Sequence, residues 1–299
     1  MRTAFIEQLT IEASKNDKIF LLVADLGFSV VEKFAEQFPD RFLNTSIAEQ
    51  NTMGIAAGLA MEGYIVYVYS IGNFPTLRCM EQIRNDVAYP HLNVRIVAVG
   101  CGYAYGSLSV SHHATEELGM LRTLPNMIIT APGDPAEARA ITSLSAQNIG
   151  PLYMRLGKAG EPVVHTQQIE NMYVGQIFPI IVSEKSKTAV LTTGGVLDYA
   201  KQYIIEQHKD FNLYSCPFVK PIDIEQLTNI ANHHNEIITM EEHQLSAGFG
   251  SAITEQINDL YAQGKVRQFP KIVRKGINDE FLFVSGSQKY LWKEAGLLF

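Results

Sequence analysis

A buried-type carboxylate, a pair of adjacent histidines, a loop aromatic and a strand-end arginine are the side chains of this 299-residue sequence whose settings could do chemistry. Glu49 stands in Arg41-Phe-Leu-Asn-Thr-Ser-Ile-Ala-Glu-Gln-Asn-Thr-Met-Gly-Ile-Ala-Ala-Gly-Leu-Ala60, near the start of a helix of small and apolar residues. With few other charges nearby, such an acid could hold or pass a proton. It could equally close a capping box, Ser46-Ile-Ala-Glu49, with Ser46 capping the helix and Glu49 reaching back to the Ser46 amide. An acid in the first turn also suits the helix dipole. His112 and His113 end a loop, residues 100–111, that is rich in Gly, Ser and Tyr and leads straight into a helix. Functional groups favour such loops, and imidazole exchanges a proton near neutral pH. No third ligand is spaced near them, so no metal site is expected. Phe74 lies in Ser70-Ile-Gly-Asn-Phe-Pro75, either as a flat binding surface or as a core residue. Arg155, with Lys158 nearby, ends a strand and can form an interdomain ion pair.

The elements that must position these groups alternate along the chain. Apolar strand runs are expected at Ile19–Ala24, Phe42-Leu43, Tyr64–Tyr69, Val94–Val99, Met127–Thr130 and Leu152–Met154. Helical patterns are expected at Ser29–Gln37, Glu49–Ala60, Pro75–Ala88, Ala114–Thr123 and Pro135–Gln147. Fully apolar strands separated by helices imply an α/β domain whose mainly parallel, doubly wound sheet is covered on both faces. The pattern weakens between Gly157 and Glu184 and then resumes, with strands at Thr188–Thr192, Phe211–Ser215 and Glu236–Met240. Helices are expected between and after them, at Val196–His208, Ile224–Asn232, Gly248–Leu260 and Gln288–Ala295. The expected division is a first domain over residues 1–174 and a smaller α/β domain over 175–299.

Composition excludes several partners. Net charge is −7 and no Lys/Arg run occurs, which argues against nucleic acid or an anionic membrane. No apolar run reaches the ~18 residues of a membrane span, and the N-terminal segment lacks the apolar stretch of a signal peptide. Cys79, Cys101 and Cys216 are far apart, so free thiols in a reducing, cytoplasmic setting are expected.

The motifs taken together resemble the transketolase family of thiamine diphosphate enzymes. Ile47-Ala-Glu-Gln-Asn-x-x-Gly-Ile-Ala-Ala-Gly-Leu-Ala60 is followed in the family's order by Glu81–Val87, Ser111-His-His-Ala-Thr-Glu-Glu-Leu-Gly119, Leu121–Met127, Ala131–Glu137 and Gly150–Arg155. Pro217–Asp223, Glu241–Gly250 and Gly286–Gln288 then resemble its C-terminal domain. The resemblance implies a pyrimidine-binding domain followed by a transketolase C-terminal domain. It assigns to Glu49 the hydrogen bond to N1′ of the cofactor's aminopyrimidine, which lets the pyrimidine's own nitrogen take the thiazolium C2 proton; a dry site that keeps a proton on Glu49 would serve this. Phe74 would stack on the pyrimidine, Ile71 would form a second wall, and His112 and His113 would serve catalysis, His112 also touching substrate oxygens. Arg155 would bind a substrate phosphate through its forked guanidinium, as the alternative to an ion pair between domains. Arg84 and Asn85 would hold their helix against a subunit interface.

Two departures qualify the resemblance. The Asp-Gly that precedes the family's Thr-His-Gln is Leu108-Ser109 here, and a further histidine is replaced near Gly100, so the sugar-reading half of the site is altered. No Gly-Asp-Gly occurs; Gly133-Asp134 is followed by Pro135. The diphosphate-binding domain is therefore expected on a separately encoded subunit that holds most of the Mg²⁺ and diphosphate contacts, in a 2+2 heterotetramer. The implied reaction is transfer of a two-carbon ketol or acyl unit in carbohydrate metabolism, to an unusual or activated sugar. The alternatives are the β subunit of a 2-oxo acid dehydrogenase and a non-catalytic regulatory or scaffold subunit. A nicotinamide dehydrogenase is excluded, because no G-x-G-x-x-G follows the first strand.

Overall fold

The structure is a computed structural model describing residues 1–299. Five apolar residues, Ile19–Val23 (β1), sit in a seven-stranded sheet of order β10-β5-β6-β4-β3-β1-β2. The others are β2 (Phe42–Asn44), β3 (Ile65–Ile71), β4 (Val94–Val99), β5 (Ile128–Thr130), β6 (Leu152–Leu156) and β10 (Phe218–Lys220). All pairings are parallel except β10 on β5. Successive strand residues face opposite sides, and β3 shows the consequence. Val66 and Val68 join the cluster that contains Met53, Ala56, Ala57 and Ala60, whereas Ile65, Tyr67 and Tyr69 face the one that contains Phe5 and Leu9.

Helices cover both faces: α1 (Arg2–Lys15), α2 (Glu32–Gln37), α3 (Glu49–Met61), α4 (Met80–Gln82), α5 (Glu117–Arg122) and α6 (Pro135–Ser145). Small residues let α3 lie close to the sheet. Asp134 caps α6 by accepting from the Glu137 N–H, with Pro135 at the first turn. Residues 157–177 carry no helix or strand and lead to a five-stranded sheet of order β12-β11-β8-β9-β7. Its strands are β7 (Phe178–Ile181), β8 (Thr188–Thr192), β9 (Phe211–Ser215), β11 (Glu236–Gln244) and β12 (Lys271–Ile277), with β7 antiparallel to β9. Helices α7 (Leu197–Glu206), α8 (Ile224–His233), α9 (Phe249–Ala262) and α10 (Gln288–Glu294) complete this half. No helix is long and apolar enough to cross a membrane.

Strands β7 and β12 occupy segments with no assigned element, and three further features around the first sheet differ from the sequence expectation. Helix α1, with Phe5, Ile6, Leu9 and Ala13 buried, occupies a segment with no assigned element. The stretch expected as one helix over Pro75–Ala88 is broken into a 3-10 turn (Leu77–Cys79), α4, and a π-helical turn (Ile83–Ala88). The first sheet also takes its edge strand, β10, from the chain beyond β9, so the two halves share a sheet. Lys220 secures that join, its Nζ donating to the carbonyls of Arg122 and Leu124 at the end of α5.

Candidate cofactor site

The chain runs from β1 outward to β2 and then returns across β1 to β3, so strand order reverses at β1. Ligand crevices in open α/β sheets form at such a reversal, outside the carboxyl ends of the strands. The β2–α3 turn and the loops after β3 and β4 all lie at that end.

The β2–α3 turn disposes of the capping-box alternative. Ser46 has φ +59°, its N–H is taken by Asn44 Oδ1 at 3.0 Å, and α3 starts only at Glu49, without any side-chain cap. Neighbouring hydroxyls hold the turn instead: Thr45 Oγ1 donates to the Val23 carbonyl (3.0 Å), and Thr52 Oγ1 donates to the Ala48 carbonyl (2.9 Å). Glu49 is thereby released from its own helix end. It is 7% exposed, and Arg78 Nη1 donates to its Oε2 at 3.2 Å. The neighbouring Cys79 thiol is pushed up to about 12, first by burial and then by the nearness of Glu49.

The loop after β3 brings the aromatic to this acid. Gly72 turns the chain with φ +33°, where an added Cβ would press the Ala114 Cβ at 3.2 Å. Asn73 Nδ2 donates to the His113 carbonyl at 2.6 Å, which ties this loop to the one after β4. Phe74 follows, half-buried, with the Arg78 guanidinium 4.4 Å from its ring centre and the His112 ring 5.4 Å away, edge to face. Glu49, Arg78, Phe74 and His112 thus form one continuous chain of contacts. Ser70 Oγ at the end of β3 and Asn73 Oδ1 in the loop after it are buried and have no hydrogen-bond partner. Ile71 is not brought to the group by its side chain: it packs with the cluster on the α1 side, on the face opposite α3.

The two histidines separate. His112 is partly exposed, and its Nδ1 lies 3.0 Å from Ser111 Oγ, leaving Nε2 uncommitted. His113 is 4% exposed, packs edge-on against Tyr103 at 4.9 Å and has Nε2 3.5 Å from the Gly106 carbonyl. Burial holds its pKa below the ordinary value. It anchors the loop as a neutral ring, and the expected catalytic part for it has no geometric support.

That loop is fixed from below by the second half of the chain. Glu242, on β11, accepts from the Tyr103 N–H (2.8 Å), Gln288 Nε2 (2.9 Å) and Trp292 Nε1 (2.5 Å). Gly102 is needed there: its φ is +63°, and a Cβ would fall 2.3 Å from the Glu242 carboxyl. Glu241 caps α9 through the Phe249 and Gly250 N–H groups, and burial pushes its carboxyl up to about 7. Arg155 belongs to the same buried network. Its Nε bonds Glu117 Oε1 at 2.5 Å, and its Nη2 donates to the carbonyls of Ala114 (2.7 Å) and Glu242 (2.9 Å). Burial would lower its pKa, but the Glu117 charge offsets this and raises it, so the guanidinium stays charged. Arg155 thus makes its ion pair within the first domain and reaches the second only through the Glu242 carbonyl, and in this arrangement its guanidinium is buried and engaged rather than open to a phosphate. Arg84 and Asn85 are exposed and bonded to each other at 2.7 Å.

Arg78 is the site residue that the sequence reading missed, although its position four residues after Phe74 was a signal. No group of three or more His, Cys, Asp or Glu side chains could hold a metal ion in this chain. Chemically, the site offers a carboxylate nearly out of water, an aromatic face beside it and an imidazole with a free nitrogen. This set fits one planar, hydrogen-bonding heterocycle with a substrate next to it.

Comparison with known proteins agrees. Residues 1–160 match the transketolase pyrimidine-binding domain and residues 180–286 the transketolase C-terminal domain. One of the subunits of the apulose-4-phosphate transketolase of Actinobacillus succinogenes is 30% identical, over 96% of this chain and 91% of that one. A solved structure described as a split gene transketolase, inactive β4 tetramer, superposes with a TM-score of 0.85 at 34% identity, covering 99% of this chain and 93% of its own. In fold alone, the chain also matches 45% of the transketolase of Campylobacter jejuni, with a TM-score of 0.74 at 19% identity. The chain belongs to the transketolase family of thiamine diphosphate enzymes, and corresponds to the C-terminal subunit of a split transketolase.

Proposed function

We propose that this chain is the pyrimidine-binding half of an enzyme that transfers a two-carbon ketol or acyl unit to a phosphorylated, unusual sugar. The observation that carries this reading is Glu49: freed from helix capping, 7% exposed, and in one contact chain with Phe74 and His112. When bound, thiamine diphosphate supplies an acidic carbon and an electron sink for the transferred unit. The fit to it rests on the donor set and on the unpartnered oxygens of Ser70, at the end of β3, and Asn73, in the loop that follows. Glu49 holds the pyrimidine N1′ by a hydrogen bond and exchanges a proton there. Phe74 covers the ring and excludes water. His112, steadied at Nδ1 by Ser111, presents Nε2 to substrate oxygens and can move a proton near neutral pH.

The second half of the machine comes from a separately encoded subunit, in a 2+2 heterotetramer, that holds Mg²⁺ and the diphosphate. Support comes from large apolar side chains exposed on the turns near the site: Phe28 (81%), Ile47 (74%), Leu108 (51%) and Val110 (49%). Apolar surface of this kind marks an interaction face. The split-gene neighbour, described as an inactive β4 tetramer, supports the same division. The name of the Actinobacillus relative favours a sugar phosphate as substrate, and Leu108-Ser109 in place of Asp-Gly favours an acceptor other than the common aldoses. We place the enzyme in the cytoplasm.

The test is to co-express the chain with the subunit encoded beside it and supply thiamine diphosphate, Mg²⁺ and either ketose phosphates or 2-oxo acids. Turnover of ketose phosphates, lost when either subunit is omitted, is expected. Turnover of 2-oxo acids alone would overturn ketol transfer in favour of the dehydrogenase-type reading.

A further inference from the structure

Arg78 makes no side-chain hydrogen bond except the one to Glu49. It is half in solvent, 52% exposed, on a 3-10 turn between Phe74 and α4, and nothing on its own element holds it inward. Yet its guanidinium lies over the Phe74 ring at 4.4 Å while Nη1 reaches Glu49 Oε2 at 3.2 Å. A guanidinium is planar and carries N–H donors in its plane. Its contacts here, an aromatic ring under the guanidinium carbon and a carboxylate accepting from one nitrogen, are the contacts the proposed site offers to an aminopyrimidine. The two ligands cannot share that place.

We propose that Arg78 is a resident plug of the pyrimidine slot, which fills the site in the unloaded chain and is displaced when cofactor enters. This rests on the cofactor reading of Glu49 and Phe74. Arg78 is suited to leave: its own end of the ion pair is half in solvent, and such a pair with a cation–π contact holds a side chain by about three- to thirtyfold. A ligand anchored elsewhere, through a diphosphate held by another subunit, overcomes that; the pyrimidine alone is opposed by it. The plug would keep the Glu49 carboxylate paired until both subunits are present. It would also explain why an arginine stands beside a carboxylate that must engage a heterocycle.

The test uses the full-length chain by itself, titrated with thiamine and followed by calorimetry and ligand-observed NMR. Arg78→Ala is expected to bind thiamine about three- to thirtyfold more tightly than the unaltered chain, and Arg78→Lys to fall between them, because an ammonium lacks the planar face. Equal or weaker binding by Arg78→Ala, including no detectable binding in either protein, would overturn the plug. Glu49→Gln separates the two levels of the argument. If Glu49→Gln weakens thiamine binding in the Arg78→Ala background, the slot is where we place it, and the Arg78 comparison judges the plug alone. If Glu49→Gln leaves thiamine binding to Arg78→Ala intact, the cofactor reading of Glu49 fails and the plug falls with it.

Discussion

The Glu117–Arg155 pair gives the sharpest test of how the structure divides its charges between packing and chemistry. Both side chains are out of water, 0% and 4% exposed, and joined at 2.5 Å. Arg155→Met would leave the Glu117 carboxylate buried without its counter-charge, and the Ala114 and Glu242 carbonyls without their donor. Breaking one side of a buried pair costs about 3–5 kcal/mol. At roughly 2–4 °C per kcal/mol for a chain approaching this size, the melting temperature should fall by about 6–20 °C. Glu117→Gln should cost about 3 kcal/mol, since Gln still accepts from Arg155 but leaves its charge unmatched. The double variant Glu117→Gln/Arg155→Met should be less destabilised than the sum of its parts, by about 1–3 kcal/mol. Urea denaturation of all four proteins measures these values. An Arg155→Met variant that melts normally but shows a raised KM for phosphorylated substrates would refute the reasoning and restore Arg155 to the substrate.

Other expectations follow from the same geometry. Burial pushes the Glu137 carboxyl up to about 7 from an ordinary 4.5, so the folded chain keeps a proton that the unfolded chain releases. Its contribution is favourable below pH 4.5 and is lost as pH rises toward 7, by about 3 kcal/mol. Glu137→Gln keeps an acceptor for the Gly133 N–H and should flatten denaturant midpoints between pH 5 and 8; an unchanged slope contradicts this. Gly102→Ala should destabilise by at least about 2 kcal/mol, because it puts a Cβ against the Glu242 carboxyl at positive φ, and thermal melting reads it directly. His112→Ala should lower turnover of the assembled enzyme by about 10²-fold or more with little change in melting temperature. A large stability loss with turnover per folded molecule preserved would make His112 structural.

The strands were the most legible part of the sequence. Ile19–Val23 is a continuous apolar run, and Val94–Val99, Thr188–Thr192 and Phe211–Ser215 are short, largely buried runs rich in apolar residues, as strands covered on both faces should be. Three-residue β10 carried no such signal, because its place comes from pairing with β5 across the two halves. Strand β12, Lys-Ile-Val-Arg-Lys-Gly-Ile at a sheet edge, mixes charged and apolar residues without a clear period, so the sequence assigns it no element. Ser46-Ile-Ala-Glu49 satisfied a local rule that the left-handed Ser46 then broke. The catalytic set was legible through motif order, and the structure sorted its members. Adjacent His112 and His113 diverge, one toward Phe74 and one into the loop core. Ile71 falls on the far face of β3 by strand alternation. Arg78 and Glu49 are 29 residues apart, and only tertiary structure brings that pair together.

The central claim is that Glu49 is the proton-handling group of a cofactor site shared between two subunits. Its most direct measurement is two-carbon transfer by Glu49→Gln in the assembled enzyme, with saturating thiamine diphosphate and Mg²⁺. The account predicts loss of about 10²–10⁴-fold in turnover, with assembly and melting temperature unchanged. Turnover within a few-fold of the unaltered enzyme would contradict it.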